Sequence, residues 1–464
     1  MTLDLTKPLS THRFVKEIYK ILAPETNVPW YGIQYDTASP SPVLLRIASE
    51  GGMWQHVDLP VQSKLRRCVI GGVTGELKYY LHPTDSTLKA DGITPSVLDG
   101  TDGQVMVEIP EHWRKCEEEE TIVRVKISES ELTGGVLVPK IYISAFEPTL
   151  DRSDPLVYKL ASVVNESASF RGGNNNEGWD EEPRTLLGRP VTNFTLDQFR
   201  HYASNRNAGD PSWNALLFEA HKALQWLYYI EYANFNSQAE FNPTDDFNGF
   251  KQGGLGIGCT NLDEWSYVEY QPFIPCGITN SLGNASGEVA YPIPAEFTSQ
   301  LTEIMVCSYR GVENIFGHIY KWGDGVHITT IMVGEDQKAT IWMTDDPSRF
   351  GDSSNRYFDL RGMAPQSDGG ISKFALGKHA DTIGVEFAGD PASTYMMDYG
   401  SLYGQENACN IVRLAGGAIS GSGAGLGCAG TGGDPSNAST CYGSRLCFKV
   451  VGASAPRRTM LLQD

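Results

Sequence analysis

The chain contains no run of eighteen consecutive apolar residues, so no helix that crosses a bilayer is expected from it. Cations are scarce: 37 Lys and Arg stand against 56 Asp and Glu, a formal net charge of −19. Phosphate recognition needs a basic face. The basic clusters here, Lys64-Leu65-Arg66-Arg67 and Arg457-Arg458, are short enough to be ordinary solvated surface. Neither a nucleic-acid partner nor membrane insertion is expected. The nine cysteines include no CxxC pair and no metal-ligand spacing with the nine histidines. They read as reduced core or strand residues of a protein made in a cytoplasm. MTLDLTKPLSTHRF, at the start, lacks the apolar segment of a secretion signal, so no Sec export is expected. No GxSxG elbow and no HExxH occurs. Gly377-Lys378-His379 lacks the upstream glycine and the following Ser or Thr of a phosphate loop.

Glycine is abundant, at 49 residues, which argues for turns and long loops rather than helical bundles. Residues 1–140 read as β-rich. Pro42–Ser49, Glu76–Leu81, Gln104–Ile109 and Thr121–Ser128 are short apolar or alternating runs punctuated by Gly, Pro and Asp. Leu98–Gln104, LDGTDGQ, is a turn signal with two Asp-Gly steps. The acidic run Glu117–Glu120 is expected in an exposed turn between strands. Pro139–Phe146 reads as a strand crossing into a second domain, and Arg171–Asp180 as a loop.

Two helices are expected next. Thr195-Leu196-Asp197-Gln198 fits a capping box, with Thr195 as N-cap and Gln198 reaching back. Trp213, Leu216, Leu217, Ala220, Ala223, Leu224, Leu227 and Ile230 recur at helical spacing after Pro211-Ser212. Glu219, Lys222 and Gln225 lie opposite, which predicts an amphipathic helix with a solvated face. From residue 250 onward the pattern is glycine-rich loops and short strands, at Glu303–Cys307, His327–Val333, Ala339–Met343 and Arg445–Val451.

Chemistry-bearing patterns are few. Carboxylates are plentiful enough for a glycosidase pair, but in so acidic a chain most are surface. His318, within Gly317–Gly325, reads either as a base or ligand or as a packed histidine bonded to backbone. The acid pairs Asp245-Asp246 and Asp345-Asp346 are the candidates for calcium, against solvated surface as the plainer reading. No other cofactor is expected.

Tyr309–Trp322, YRGVENIFGHIYKW, is similar to a segment of phage-encoded C-type-lectin-like proteins. So, in the same order, are Leu187-Gly188-Arg189-Pro190, Leu227–Tyr232, Asn236-Ser237-Gln238 and Gly443–Phe448. That family includes variable proteins of diversity-generating retroelements and related tail adhesins, and shares its fold with the formylglycine-generating enzyme. The resemblance spans roughly residues 140–452, and Leu98–Pro110 also resembles the N-terminal parts of such proteins. It implies an α+β architecture: a β-rich domain at 1–140 for virion attachment or oligomerisation, then a lectin-like receptor-binding domain at 141–464 with two helices packed on short twisted sheets.

The resemblance also implies a role for Gly416–Phe448, where small residues precede an apolar strand. His318, Trp322, Gly416, Gly417 and Arg445 would be scaffold. A ligand-facing surface would comprise Tyr399, Ser401, Tyr403, Gly404, Ala418, Ile419, Ser420, Ser422, Gly430, Thr431, Gly432, Thr440, Cys441 and Tyr442. Tyr399, Tyr403 and Tyr442 would be its aromatic anchors. Ala418–Tyr442 contains no Lys, Glu, Gln, Met or Trp, the residues that adenine mutagenesis of asparagine codons does not generate. The enzymes of this fold use a cysteine pair five residues apart; here Cys428 and Cys441 are thirteen apart, so no catalytic residue is expected. The implied protein is a homotrimeric tail-fibre or tip adhesin in the virion, synthesised in the host cytoplasm. Its partners would be a host cell-surface receptor, protein or glycan, and other tail proteins. A virion decoration protein and a polysaccharide depolymerase are the alternatives.

Overall fold

The computed structural model describes residues 28–49, 59–183, 185–241, 274–292, 303–352, 355–406 and 408–450. The fold is α+β and dominated by strands, with two α-helices among the described residues. Gln104–Ile109 (QVMVEI) is buried along its whole length and lies inside a seven-stranded antiparallel sheet. The order is Trp213–Asn214, Cys447–Phe448, Ile141–Ser144, Gln104–Ile109, Arg66–Ile70, Leu77–His82 and Asp85–Lys89. Strand alternation splits its side chains between two cores. Val69, Val105 and Val107 enter the larger core; Cys68, Ile70 and Met106 enter a smaller one around helix α1 (Leu196–Ser204). Helix α1 carries the expected capping box: Thr195 Oγ1 accepts from the Gln198 amide at 3.2 Å, and Gln198 Oε1 from the Thr195 amide at 2.9 Å.

The expected boundary after residue 140 lies next to a strand that pairs directly with its N-terminal neighbour: Ile141 opposes Ile109 and Ile143 opposes Val107. Cys447 and Phe448 then insert between Ile141–Ser144 and Trp213–Asn214. Residues on both sides of position 140 thus share one sheet and one core. A five-stranded antiparallel sheet, ordered Leu45–Ala48, Tyr31–Asp36, Ile122–Ser128, His112–Glu119, Val136–Val138, packs Ile33, Val125 and Ile127 into the larger core. The acidic run is not in the turn as expected: Glu117–Glu119 are the last residues of the strand His112–Glu119, with Glu117 half-buried and paired to Lys115 and Lys126, and only Glu120, with φ 55°, lies in the turn.

The second helix differs from its expectation. It runs Phe218–Tyr232 (α2), not from Trp213, because Trp213–Asn214 is claimed by the closing strand. Nor does it have a solvated face. Lys222 and Gln225 are as buried as Leu224; the sequence pattern missed this for Lys222 because the carboxylate that faces it comes from a remote segment. Lys222 Nζ meets Asp381 Oδ1 at 2.7 Å and Glu219 Oε2 at 3.0 Å, while Gln225 Nε2 donates to Tyr229 Oη at 3.1 Å. Burying charges is tolerable only with such pairing.

A nine-stranded sheet covers the C-terminal part. Its path is Asp359–Pro365, Asp336–Met343, Tyr320–Val333, Asn410–Leu414, Ala429–Gly433, Tyr399–Leu402, Ser367–Leu376, Asp381–Phe387, with Tyr442–Gly443 added beside the start of Tyr320–Val333. The glycine-rich segment that enters it is not the open surface that was expected: Gly423–Ala429 is buried throughout. Its backbone lies against α2 and the loop after it. His221 Nε2 bonds the Leu426 carbonyl at 2.9 Å, and Ser237 Oγ accepts from the Leu426 amide at 2.9 Å. A Cβ on Gly425 would stand 1.8 Å from Asp398 Oδ1, and one on Gly427 would stand 2.7 Å from Asp398 Oδ2. Glycine is required here by close backbone approach, not by exposure.

This assigns opposite fates to two glycines in one segment. Gly425→Ala is expected to cost about 1–3 kcal/mol through overpacking, whereas Gly432→Ala, at an exposed position with 4.0 Å to its nearest neighbour, should stay within about 0.5 kcal/mol. Urea unfolding of both variants checks this; equal effects would contradict the buried placement.

Candidate ligand-binding face

The outer face of the nine-stranded sheet is set by alternation along Tyr399–Tyr403. Gly400 and Leu402 are buried, whereas Tyr399 and Tyr403 are each 37% exposed with Ser401 half-buried between them. Register carries the same face across four strands: Arg413 opposes Gly430, Gly430 opposes Ser401, and Ser401 opposes Asp368. The result is a shallow floor of Gly430 and Gly432. Tyr399, Tyr403 and Asp368 stand on one side, with Arg413 and Tyr442 on the other.

Each wall is held in place. Tyr403 Oη donates to Asp368 Oδ2 at 3.1 Å, and this bond, ahead of burial, pushes the Tyr403 phenol above its ordinary pKa. The Tyr399 phenol is also raised, by burial first and then by Asp368. Arg413 lies over the Tyr442 ring at 4.6 Å and within 5.9 Å of the Tyr320 and Trp322 rings, and it bonds the Tyr442 hydroxyl. Between the walls, Thr431 Oγ1 donates to the Ser401 carbonyl at 2.7 Å and accepts from the Tyr403 amide at 2.9 Å. The floor is thereby fixed to the tyrosine strand.

Of the residues expected to face a ligand, the structure brings Tyr399, Ser401, Tyr403, Gly430, Gly432 and Tyr442 together on this face. Tyr442 is half-buried and packed edge-on to Trp322 at 5.5 Å, so it is a wall rather than a free anchor. Thr431 and Cys441 are corrections: both are buried, Thr431 clamping strands and Cys441 with its thiol against Ser439 Oγ at 3.2 Å. Gly404 is half-buried where its backbone crosses Thr329, and its amide donates to Gln366 Oε1 at 3.0 Å. Ser420 is tied to the Tyr320 hydroxyl at 2.7 Å, and Thr440 is half-buried. The side chains of Ala418, Ile419 and Ser422 lie outside the described set. Asp368 and Arg413 were missed. Asp368 sits in SDGG, whose paired glycines hide a strand, and Arg413 is a lone cation among aliphatics.

The expected scaffold residues all lie inside. Trp322 is fully buried, Gly416 turns with φ 63°, and Gly417 rests on the Tyr320 ring. Arg445 donates to the carbonyls of Ser144 at 3.0 Å and Asn314 at 2.8 Å. His318 is buried, as the packed reading had it, and a carboxylate faces it. Its Nδ1 meets Glu147 Oε2 at 2.5 Å, and Lys321 Nζ meets Glu147 Oε1 at 2.9 Å. Burial alone would raise the Glu147 carboxyl, but Lys321 and His318 hold it at about 2. At no more than 1% side-chain exposure the triad is a sealed internal pillar.

The calcium candidates fare differently. Asp245-Asp246 lies outside the described residues. Asp346 caps a turn at the Ser348 amide, 3.1 Å, and pairs with Arg349 at 3.0 Å. Among the described residues, no group of three or more His, Cys, Asp or Glu is placed to hold a metal ion. The eight described cysteines are free thiols.

Directly beneath Tyr399, Asp398 points inward and is 1% exposed. Its Oδ2 accepts from the Gly427 amide at 2.7 Å, and its carboxyl is pushed well above the usual carboxylate range by burial, which that bond only partly offsets. Compared with protein-family models, the chain matches none, and comparison with curated proteins likewise gives no match.

A raised acid contributes its stability fully below the unfolded value, about 3.9, and loses it as pH climbs through the folded value. Asp398→Asn keeps an acceptor for Gly427 and removes that loss. The stability of the variant relative to wild type should therefore increase between pH 5 and pH 8 in urea unfolding. A difference that is flat, or that falls, would contradict the buried neutral acid.

Proposed function

We propose that this chain is a receptor-binding protein of a phage virion, a tail-fibre or tip adhesin, that meets its host through the Tyr399–Tyr403 face. The observation that carries the reading is the make-up of that face: two half-exposed tyrosines, a serine and a carboxylate around a glycine floor, on a rigid sheet rather than a loop. Tyrosine offers large contact area at low entropic cost, and small polar residues supply adaptable hydrogen bonds, as in other binding paratopes. The sequence segments similar to phage lectin-like proteins support it. So does the closing strand Cys447–Phe448, lodged between Ile141–Ser144 and Trp213–Asn214 so that the chain's last described strand locks its scaffold.

In this reading the part beyond residue 140 is a C-type-lectin-like domain, and the β-rich part before it serves attachment to the virion or to further copies. Assembly as a homotrimer would set three shallow sites side by side, and avidity would offset the modest affinity of each.

Adsorption to whole host cells tests the proposal. The double variant Tyr399→Ala, Tyr403→Ala is expected to lose attachment while its melting temperature stays within a few degrees of wild type. Attachment at wild-type level by a folded double variant would overturn the reading. No host attachment by wild type would favour a decoration role, and shortening of host glycan would favour a depolymerase.

A further inference from the structure

A second site lies in the N-terminal half, far along the chain from the tyrosine face. The turn Gly71–Glu76, the Gly100–Gln104 part of the LDGTDGQ turn, the hairpin Thr149–Asp151/Lys159–Ala161 and Arg206, which follows α1, line an open cavity of about 430 Å³. This lies within the range of small-molecule sites, about 300–1,000 Å³.

Its floor carries donors that the protein does not use. Arg206 is 8% exposed, packs over Trp213 at 5.5 Å, and spends its hydrogen bonds on the Leu160 carbonyl at 2.5 Å and, weakly, the Gly72 carbonyl at 3.4 Å. Among the described residues Nη2 has no acceptor. Gln104 is 3% exposed; its Oε1 accepts from the Ser162 amide at 2.8 Å, and its Nε2 has no acceptor among the described residues. The two side chains converge: a Cβ on Gly72 would lie 3.2 Å from Arg206 Nη1 and 3.9 Å from Gln104 Nε2. Gly72 keeps that space open.

The rim adds a different chemistry. Glu76 is occupied by Lys78 at 2.5 Å, but Lys159 carries no such pairing among the described residues. Asp102 and Asp151 each use one oxygen, for Tyr79 Oη at 2.8 Å and Ser153 Oγ at 2.6 Å, and keep the other for an outside donor. Phe170 offers an apolar surface on the same wall. These unused donors and acceptors open on the cavity beside an apolar wall, the make-up of a small-molecule site in which a few placed polar groups set orientation. Arg206, Gln104 and Lys159 suit one carboxylate. The two spare aspartate oxygens suit hydroxyls, and they disfavour a dianion.

We propose that this cavity binds a carboxylated monosaccharide, its carboxylate toward Arg206 and Gln104 and its hydroxyls toward Asp102 and Asp151. The site is independent of the receptor-binding reading, and its test does not touch the tyrosine face.

Titration calorimetry of the full chain with D-glucuronate, D-glucose and acetate tests it. Saturable glucuronate binding is expected, stronger than for either of the other two. Gly72→Val fills the space between the two donors without touching a positive-φ position, and should weaken glucuronate by at least about tenfold. Lys159→Ala, at the rim, should weaken it several-fold and serves if the valine variant does not fold. Absence of saturable glucuronate binding, or unchanged binding in a folded variant, overturns the site. Glucose binding as tightly as glucuronate overturns the carboxylate assignment, and acetate doing so overturns the saccharide.

Discussion

The seating of Gly423–Ala429 on helix α2 is the contact on which the C-terminal half depends. Apart from Leu426, which is buried in the larger core, the segment's side chains are small or absent, so much of its hold comes through backbone bonds made by others. His221 and Ser237 take both polar groups of Leu426, and Asp398 takes the Gly427 amide. Because the segment is thin, the polypeptide can pass between α2 and the strand Tyr399–Leu402. It emerges as Ala429–Gly433 in parallel register with that strand. The glycine floor and the tyrosine wall of the outer face are thus continuous with two buried neighbours, Asp398 and Gly427. Fixing the inside of the segment fixes the outside.

A second constraint closes the chain. Cys447–Phe448 occupies the position between Ile141–Ser144 and Trp213–Asn214, and Arg445 just before it satisfies carbonyls of Ser144 and Asn314. The Glu147–His318–Lys321 triad stands beside this seam, buried and mutually neutralised. Buried ion pairs of this kind are poor sources of net stability, but loss of one member strands the rest. Here they tie Glu147 to the segment that carries His318 and Lys321.

Much of the fold was legible because local rules and tertiary structure agree. The capping box at Thr195–Gln198 and the buried run Gln104–Ile109 are each decided within a few residues. What was not legible depended on remote partners. Lys222 and Gln225 mark a solvated helix face by type, yet Asp381, over 150 residues away, makes burial of Lys222 tolerable. His318 offered no carboxylate nearby in sequence, and Glu147 arrives from another strand's end. Glycines in Gly416–Gly433 were indistinguishable as letters. Some are inside because a neighbour presses on the Cα and others are outside because nothing does, and only the positions of Asp398 and α2 separate the two. Of the candidate face, the tyrosines were visible but Asp368 and Arg413 were not, since each sits in a strand without clear alternation.

Hydrogen–deuterium exchange resolved to single amides tests the central contact most directly. With Leu426 and Gly427 amides bonded to buried side chains, the account predicts that both exchange as slowly as Val105 and Val107 in the central sheet, while Ser436–Thr440 exchanges orders of magnitude faster. Exchange of Leu426 and Gly427 at the rate of Ser436–Thr440 would mean that the glycine segment is an open loop, and the architecture of the outer face would fall with it.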